Sequence, residues 1–396
     1  MATVTEPSRR RLGAVLRERE QVLPLELFFD LVFVLALTQC TTLMSEDPTW
    51  RGLGHGLMIL ALLWWSWVGY AWLTSVVDPE EGGVRIALFA AMAAFLIAAI
   101  SVPDAFGDLA TEFAFAYGAV RIGQIVLFLI ASRDDPDLRH SVWTLAGSTA
   151  IGISLLVGGA MLDPGPQAAV WGFALALDMG GPYFFGSAGW KLVPSHFAER
   201  HGLIMIIALG ESIVALGVGA VTILTWDVAA AAVLGIAIVS AMWWLYFDVV
   251  ALVSARRLAR APEGKERNEL ARDSYSYLHF PMVAGVIFFA LGLKKTLGEP
   301  DDALKIVPDV ALLGGVALYL LALVAFRYRH VHSINRRRLT LAIVLVALIP
   351  AALELPAMAM LAVIGVLVWT LIVIETRSYG EGRQRVRHGD HAPAAR

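Results

Sequence analysis

Leu25 to Met44 reads LELFFDLVFVLALTQCTTLM, a run long enough to cross a bilayer that nevertheless carries Glu26 and Asp30. An α-helix needs roughly 20 predominantly apolar residues to span the hydrocarbon core. Residues four apart lie about one turn from each other, so both carboxylates share a face, about 6 Å apart along the axis. A carboxylate at the bilayer centre costs on the order of 3 kcal/mol on insertion scales, and intramembrane acids normally face a bundle interior or a wet cavity. The stretch therefore predicts a membrane helix and a buried polar site together. Glu26 falls at the boundary, where it anchors or caps the helix, and Asp30 lies one turn deeper.

Composition extends this reading to the whole chain. Of 396 residues, 58% are hydrophobic and 16% charged, and the mean hydropathy is +0.68. Water-soluble domains average about 45–50% apolar and about 25% charged. The fold class expected is all-α, a polytopic integral membrane bundle of about twelve transmembrane helices. Apolar runs place these at 25–44, 53–77, 84–101, 109–131, 142–162, 167–185, 202–222, 228–253, 274–293, 307–326, 339–353 and 357–375. The residues ahead of the first span are polar and basic, without the apolar core or cleavage site of a secretory signal. Cys40 is the single cysteine, which excludes an intramolecular disulfide or a cysteine-cluster metal site.

Charge placement tests the span count. All of the 31 Lys and Arg residues except Arg51, Arg121, Lys294, Lys295 and Lys305 fall in the N-terminal tail, the even-numbered loops or the C-terminal tail. Positive residues favour the cytoplasmic side, so both termini are predicted to be cytoplasmic. The division that follows is a basic tail at 1–22, a six-helix half at 23–185, and a second half at 186–375 with a cytoplasmic loop near 254–273. A disordered basic tail at 376–396 completes the chain. Trp64-Trp65-Ser66-Trp67 in the second span and Trp243-Trp244-Leu245-Tyr246 in the eighth suit two parallel six-helix repeats. Coincidence between tryptophan-rich segments is the other reading.

Depth along each span then singles out charges in the wrong solvent. Arg121, Asp178 and Glu211 fall near the middles of the fourth, sixth and seventh spans, while Asp30 and Asp248 are shallower. Arg121 keeps its charge and needs a carboxylate from another helix. Acids in excess of this one deep base imply protonation, a bound cation or a wet cavity. Asp30, Arg121, Asp178 and Glu211 are thus the proposed ion or substrate site, against the alternative of an ion pair that only fixes helix packing. Secondary candidates are Glu26, His201, Glu199, Ser212, Asp248, Tyr277 and His279. His201 and Glu199 are expected near the cytoplasmic mouth, and Thr41 on the Asp30 face.

Catalytic signatures are not found. Gly210-Glu211-Ser212-Ile213-Val214 is not a G-x-S-x-G elbow, and His196 and His201 form no H-E-x-x-H. No catalytic residue, metal, cofactor or nucleic-acid partner is expected. The partners expected are the lipid bilayer, protons or monovalent cations, and a small solute.

Several blocks together resemble the bacterial low temperature requirement protein A family. They are Glu26 to Val34, Tyr117 to Arg121, Asp178 with Pro182, His196-Phe197-Ala198-Glu199-Arg200-His201-Gly202, Gly210-Glu211-Ser212, and Tyr277 with His279. The resemblance runs from about residue 20 to 375 and implies a multi-pass bacterial membrane protein tied to growth in the cold. The first span also loosely resembles the opening helix of the lysosomal potassium channel family. The function expected is a proton- or cation-coupled secondary transporter. A cation channel lined by the first and seventh spans, and a non-transport stress-adaptation protein with structural ion pairs, are the alternatives.

Overall fold

The computed structural model describes residues 21–80, 82–184, 189–219 and 225–388, and those residues form a purely helical bundle. In chain order the helices are α1 (Pro24–Glu46), α2 (Trp50–Thr74), α3 (Gly82–Ser101), α4 (Ala110–Ala131), α5 (Pro136–Gly159), α6 (Pro164–Phe184) and α7 (Pro194–Gly219). They continue as α8 (Trp226–Phe247), α9 (Val250–Arg260), α10 (Lys265–Ala271), α11 (His279–Gly298), α12 (Ile306–Val331), α13 (Arg336–Ala352) and α14 (Ala357–His388). Each of the twelve expected spans corresponds to one of these, and among the described residues ten helices are long and apolar enough to cross a membrane. Expected spans six and eleven, α6 and α13, are the two outside that set; α13 has only 17 residues.

Local chemistry sets the starts. Pro24 opens α1, where its missing N–H costs nothing, and the Glu26 carboxylate accepts the Leu23 N–H at 2.9 Å. Thr49, Asp135, Thr225 and Asn335 each accept a backbone N–H from the first turn of α2, α5, α8 and α13. His332, with φ 52°, ends α12 in the left-handed region.

The usual pattern of a soluble helix is inverted in α1. Asp30, Phe33, Leu37 and Thr41 face inward, whereas Phe28 and Leu31 are exposed. That suits a lipid solvent, in which polar side chains turn to the interior. The most enclosed helix is α2, packed against α1, α4, α6, α7 and α11. Helices α11 and α12 meet backbone to backbone. A Cβ on Gly292 would lie 2.6 Å from Leu312 Cα, and one on Gly315 would lie 2.5 Å from Phe289 N. Small residues at such a crossing allow the close approach that drives helix association in lipid.

Several boundaries differ from expectation, four of them with consequences for the site or the loops. Helix α7 begins at Pro194, eight residues before 202, because Pro194 sets a helical φ and Phe197 N–H already bonds Val193 O. The expected cytoplasmic loop near 254–273 is largely helical, comprising the end of α9, α10 and the start of a π-helical turn over Arg272–Tyr277. Helix α8 stops at Phe247 rather than running to 253, and α9 follows separately. Residues 376–388 continue α14 as helix instead of beginning a disordered tail. The tail segments 1–20 and 389–396 lie outside the described residues.

Candidate functional site

Beginning α7 at Pro194 puts His196 and Arg200 on its first two turns, four residues apart and facing the similarly spaced Glu26 and Asp30 of α1. His196 Nε2 lies 2.8 Å from Glu26 Oε1. Arg200 spans both acids, with Nη1 3.0 Å from Glu26 Oε1 and Nη2 2.7 Å from Asp30 Oδ1. Helix α2 closes the group: Trp67 Nε1 donates to Asp30 Oδ1 at 2.8 Å, and Thr74 accepts from Arg200 at 3.2 Å. At the end of α2, the Ser75 hydroxyl lies 3.0 Å from His196 Nδ1. All four ionisable side chains are at most 1% exposed.

Two details give this group chemical potential. Asp30 Oδ2 is buried with no hydrogen-bond partner among the described residues. A bare carboxylate oxygen in a dry interior is costly until it takes a proton or a cation. His196 lies between a carboxylate and a hydroxyl, and Ser75 can donate to the neutral ring or accept from the protonated one. The group can therefore accommodate a proton without any backbone movement.

Arg200 is the residue that sequence reasoning missed. It reads as a loop arginine within the orientation signal, yet it is a second fully buried base. The expectation of one deep base among surplus acids is corrected accordingly. The signal was present in the sequence, as the His196–Arg200 spacing matches the Glu26–Asp30 spacing.

The other primary candidates sort into separate groupings. Arg121 pairs with Asp178, its Nη2 2.8 Å from both carboxylate oxygens, so the acid opposite Arg121 is the one from α6. Thr149 of α5 bridges them at 3.0 Å to each, and Gln124 Oε1 accepts from Arg121 Nη1 at 2.6 Å. Glu211 instead accepts a 2.6 Å hydrogen bond from Thr38 of α1. Thr38 is eight residues beyond Asp30, about 12 Å further along the helix. Thus α7 does complete a two-helix site with Asp30, but through Arg200 rather than Glu211. Thr41, on the Asp30 face as expected, is buried and bonds Leu37 O.

Secondary candidates spread further. Glu26 belongs to the Arg200 group, and exposed Glu199 accepts the Val22 N–H at 3.1 Å. His201 is fully buried, its ring 5.1 Å from Trp67 and 5.2 Å from both Tyr275 and His279. His279 Nε2 lies 2.8 Å from the Tyr246 hydroxyl. Tyr277 donates to Met179 O, tying the π-helical turn to α6. Ser212 is buried beside Glu211 in the sequence, and Asp248 is buried at the end of α8. A further pair unanticipated from sequence, Arg338 and Glu375, joins α13 to α14 at 2.8 Å.

Long apolar helices that carry hydrophobic side chains on their outer faces as well as in the core, and that bury acids and arginines within, define a multi-pass helical membrane protein with an interior ionic network. The chain belongs to the bacterial low temperature requirement A family, which it matches over residues 21–374. It is also 30% identical over 307 residues to an uncharacterized protein of Rhizobium meliloti, 74% of each chain. No solved structure matches it.

Proposed function

We propose that this protein is a proton-coupled secondary transporter of the cell membrane, with both termini cytoplasmic and Asp30 as its proton-binding group. The observation that carries the reading is the buried, unpartnered Oδ2 of a carboxylate whose other oxygen is held by Arg200 and Trp67. A proton on Oδ2 weakens the attraction of Asp30 for Arg200. It thereby loosens the contact between α1 and α7, while His196 and Glu26 keep a second grip on the same helix pair.

The packing pattern supports two parallel six-helix units. Helix α1 packs on α2 and α3, α3 on α4, α4 on α5, α5 on α6, and α2 on α6. Correspondingly, α7 packs on α8 and α11, α11 on α12, α12 on α13, α13 on α14, and α8 on α14. With α9 and α10 as an insertion, the α1–α7 contact joins the first helices of the two units. Transporter sites commonly occupy such repeat interfaces.

Arg121 and Asp178 favour a second role for themselves. One positive and one negative group, with Thr149 and Gln124 on the remaining polar atoms, suit a brace between α4, α5 and α6.

The test is charge displacement on solid-supported membranes carrying reconstituted protein, with panels of organic acids, amines and sugars applied at pH 6 and 8. Solute-evoked currents that depend on pH in the native protein, and lose that dependence in Asp30→Asn, are expected. Undiminished pH-dependent currents in a folded Asp30→Asn protein rule the reading out, and unitary currents in planar bilayers identify a channel instead.

A further inference from the structure

Arg121, the basic half of the Arg121–Asp178 brace, forms part of the floor of a cavity between α2, α4, α5, α6 and the π-helical turn. Its volume is about 60 Å³. Trp65, Trp72, Phe128 and Trp190 supply apolar, flat walls.

Its polar chemistry is one-sided. Trp65 Nε1 and Arg121 Nε are both buried N–H donors with no partner among the described residues, and both side chains line this cavity. Arg121 is 1% exposed, so its bare donor is not compensated by bulk water. Buried donors left unmatched carry an uncompensated desolvation cost, which favours a bound acceptor. Arg272 lines the same cavity. Its guanidinium pairs with Asp273 at 2.7 Å, but Arg329 takes the other oxygen of that carboxylate at 3.2 Å. Arg272 thus shares its one acid with Arg329, and no carboxylate lines the cavity among the described residues.

From unmatched donors at the floor, a lining arginine with only a shared acid, and aromatic walls, we infer that this cavity is the binding site for a small organic carboxylate with a flat or apolar body. Rotation of the Arg121 and Trp65 side chains brings their Nε and Nε1 donors to the carboxylate oxygens, and the body packs among the tryptophans. Binding at Arg121 also joins the solute to the α4–α6 brace, so occupancy is felt by the helices that pack on α2. The inference rests on the transport reading for its role in the cell, because it supplies the class of solute carried.

Isothermal titration of the full chain in lipid nanodiscs, corrected with empty nanodiscs, uses benzoate, benzylamine and benzyl alcohol as probes of one body with three head groups. Saturable benzoate binding is expected, with benzylamine and benzyl alcohol at least tenfold weaker. Trp65→Phe keeps the ring, removes one donor and lowers benzoate affinity about tenfold. Trp244→Phe, outside the cavity, retains native affinity and serves as the control for folding. Absence of benzoate binding to folded protein, equal binding of benzylamine, or unchanged affinity in Trp65→Phe each overturns the assignment. Benzoate binding without pH-dependent currents leaves the site standing and removes the transport reading. Such currents with another solute, in protein that does not bind benzoate, do the reverse.

Discussion

Arg200 holds Glu26 and Asp30 together with a single guanidinium, and neither acid has bulk water to fall back on. Removing one partner of a buried ionic group leaves uncompensated charge, which typically costs about 3–5 kcal/mol. Arg200→Leu is therefore expected to destabilise the protein by that order. The triple replacement Arg200→Leu, Glu26→Gln and Asp30→Asn should recover most of the loss, because no buried charge remains unmatched there. Thermal unfolding in one detergent checks both, and equal melting of the single and triple variants would show that Arg200 acts by packing alone. The same residues mark how far the sequence could be read. Two carboxylates one turn apart inside an apolar run announced a buried site and required a base. The nearest base in space was hidden because Arg200 precedes the first strongly apolar residue of its span, and hydropathy begins that helix at 202. Arg121 and Asp178 were legible because each is a lone charge at the middle of its run. Trp67 and Thr38 were not singled out as partners, since which polar tip meets which carboxylate depends on helix rotation, and hydropathy does not fix that.

At the level of helices, span positions were legible because twelve apolar runs impose them, whereas crossings were not. Helices α11 and α12 illustrate the difference: both are nearly uniform in hydropathy, so no stripe identifies the contact face. Their glycines do. Gly285 and Gly292 lie seven residues apart, on one face of α11, and Gly315 of α12 sits opposite at less than the separation a side chain permits. These close approaches fall mostly on backbone atoms of the neighbouring helix, which a rotamer change cannot relieve. Gly292→Leu is expected to force the pair apart and cost roughly 1–3 kcal/mol or more, as overpacking does. Gly298→Leu, at a glycine whose Cβ would meet nothing within 4 Å, should be nearly neutral. Comparing unfolding midpoints and the yield of monodisperse protein separates them; similar losses in both would mean that the crossing tolerates separation.

Across the whole molecule, orientation follows from where arginines and lysines collect rather than from packing. The ends of the bundle differ in that respect: one holds Arg133, Arg139, Lys191, the α9–α10 region and Arg336 to Arg338, while the other holds Arg51, Lys294, Lys295 and Lys305. In the proposed orientation, drawn from the positive-inside rule, the first end and both termini face the cytoplasm. Cys40 is buried and is the single cysteine, so a Cys40→Ser background provides a clean test. In that background Glu263→Cys, between α9 and α10, should react with a membrane-impermeant maleimide only after the cells are opened. Asp163→Cys, between α5 and α6, and Asp301→Cys, between α11 and α12, should react in intact cells. All three residues are exposed, so access to the reagent depends on the side of the membrane. Labelling of Asp163→Cys and Asp301→Cys on opposite sides would break the correspondence between the halves, because parallel six-helix units require the loops after α5 and α11 to share a side. Labelling of all three in the reverse sense would keep the two units and invert the protein. The cavity proposed to bind a carboxylate, whose lining includes Trp190 and Arg272 at the arginine-rich end, would then face the outside.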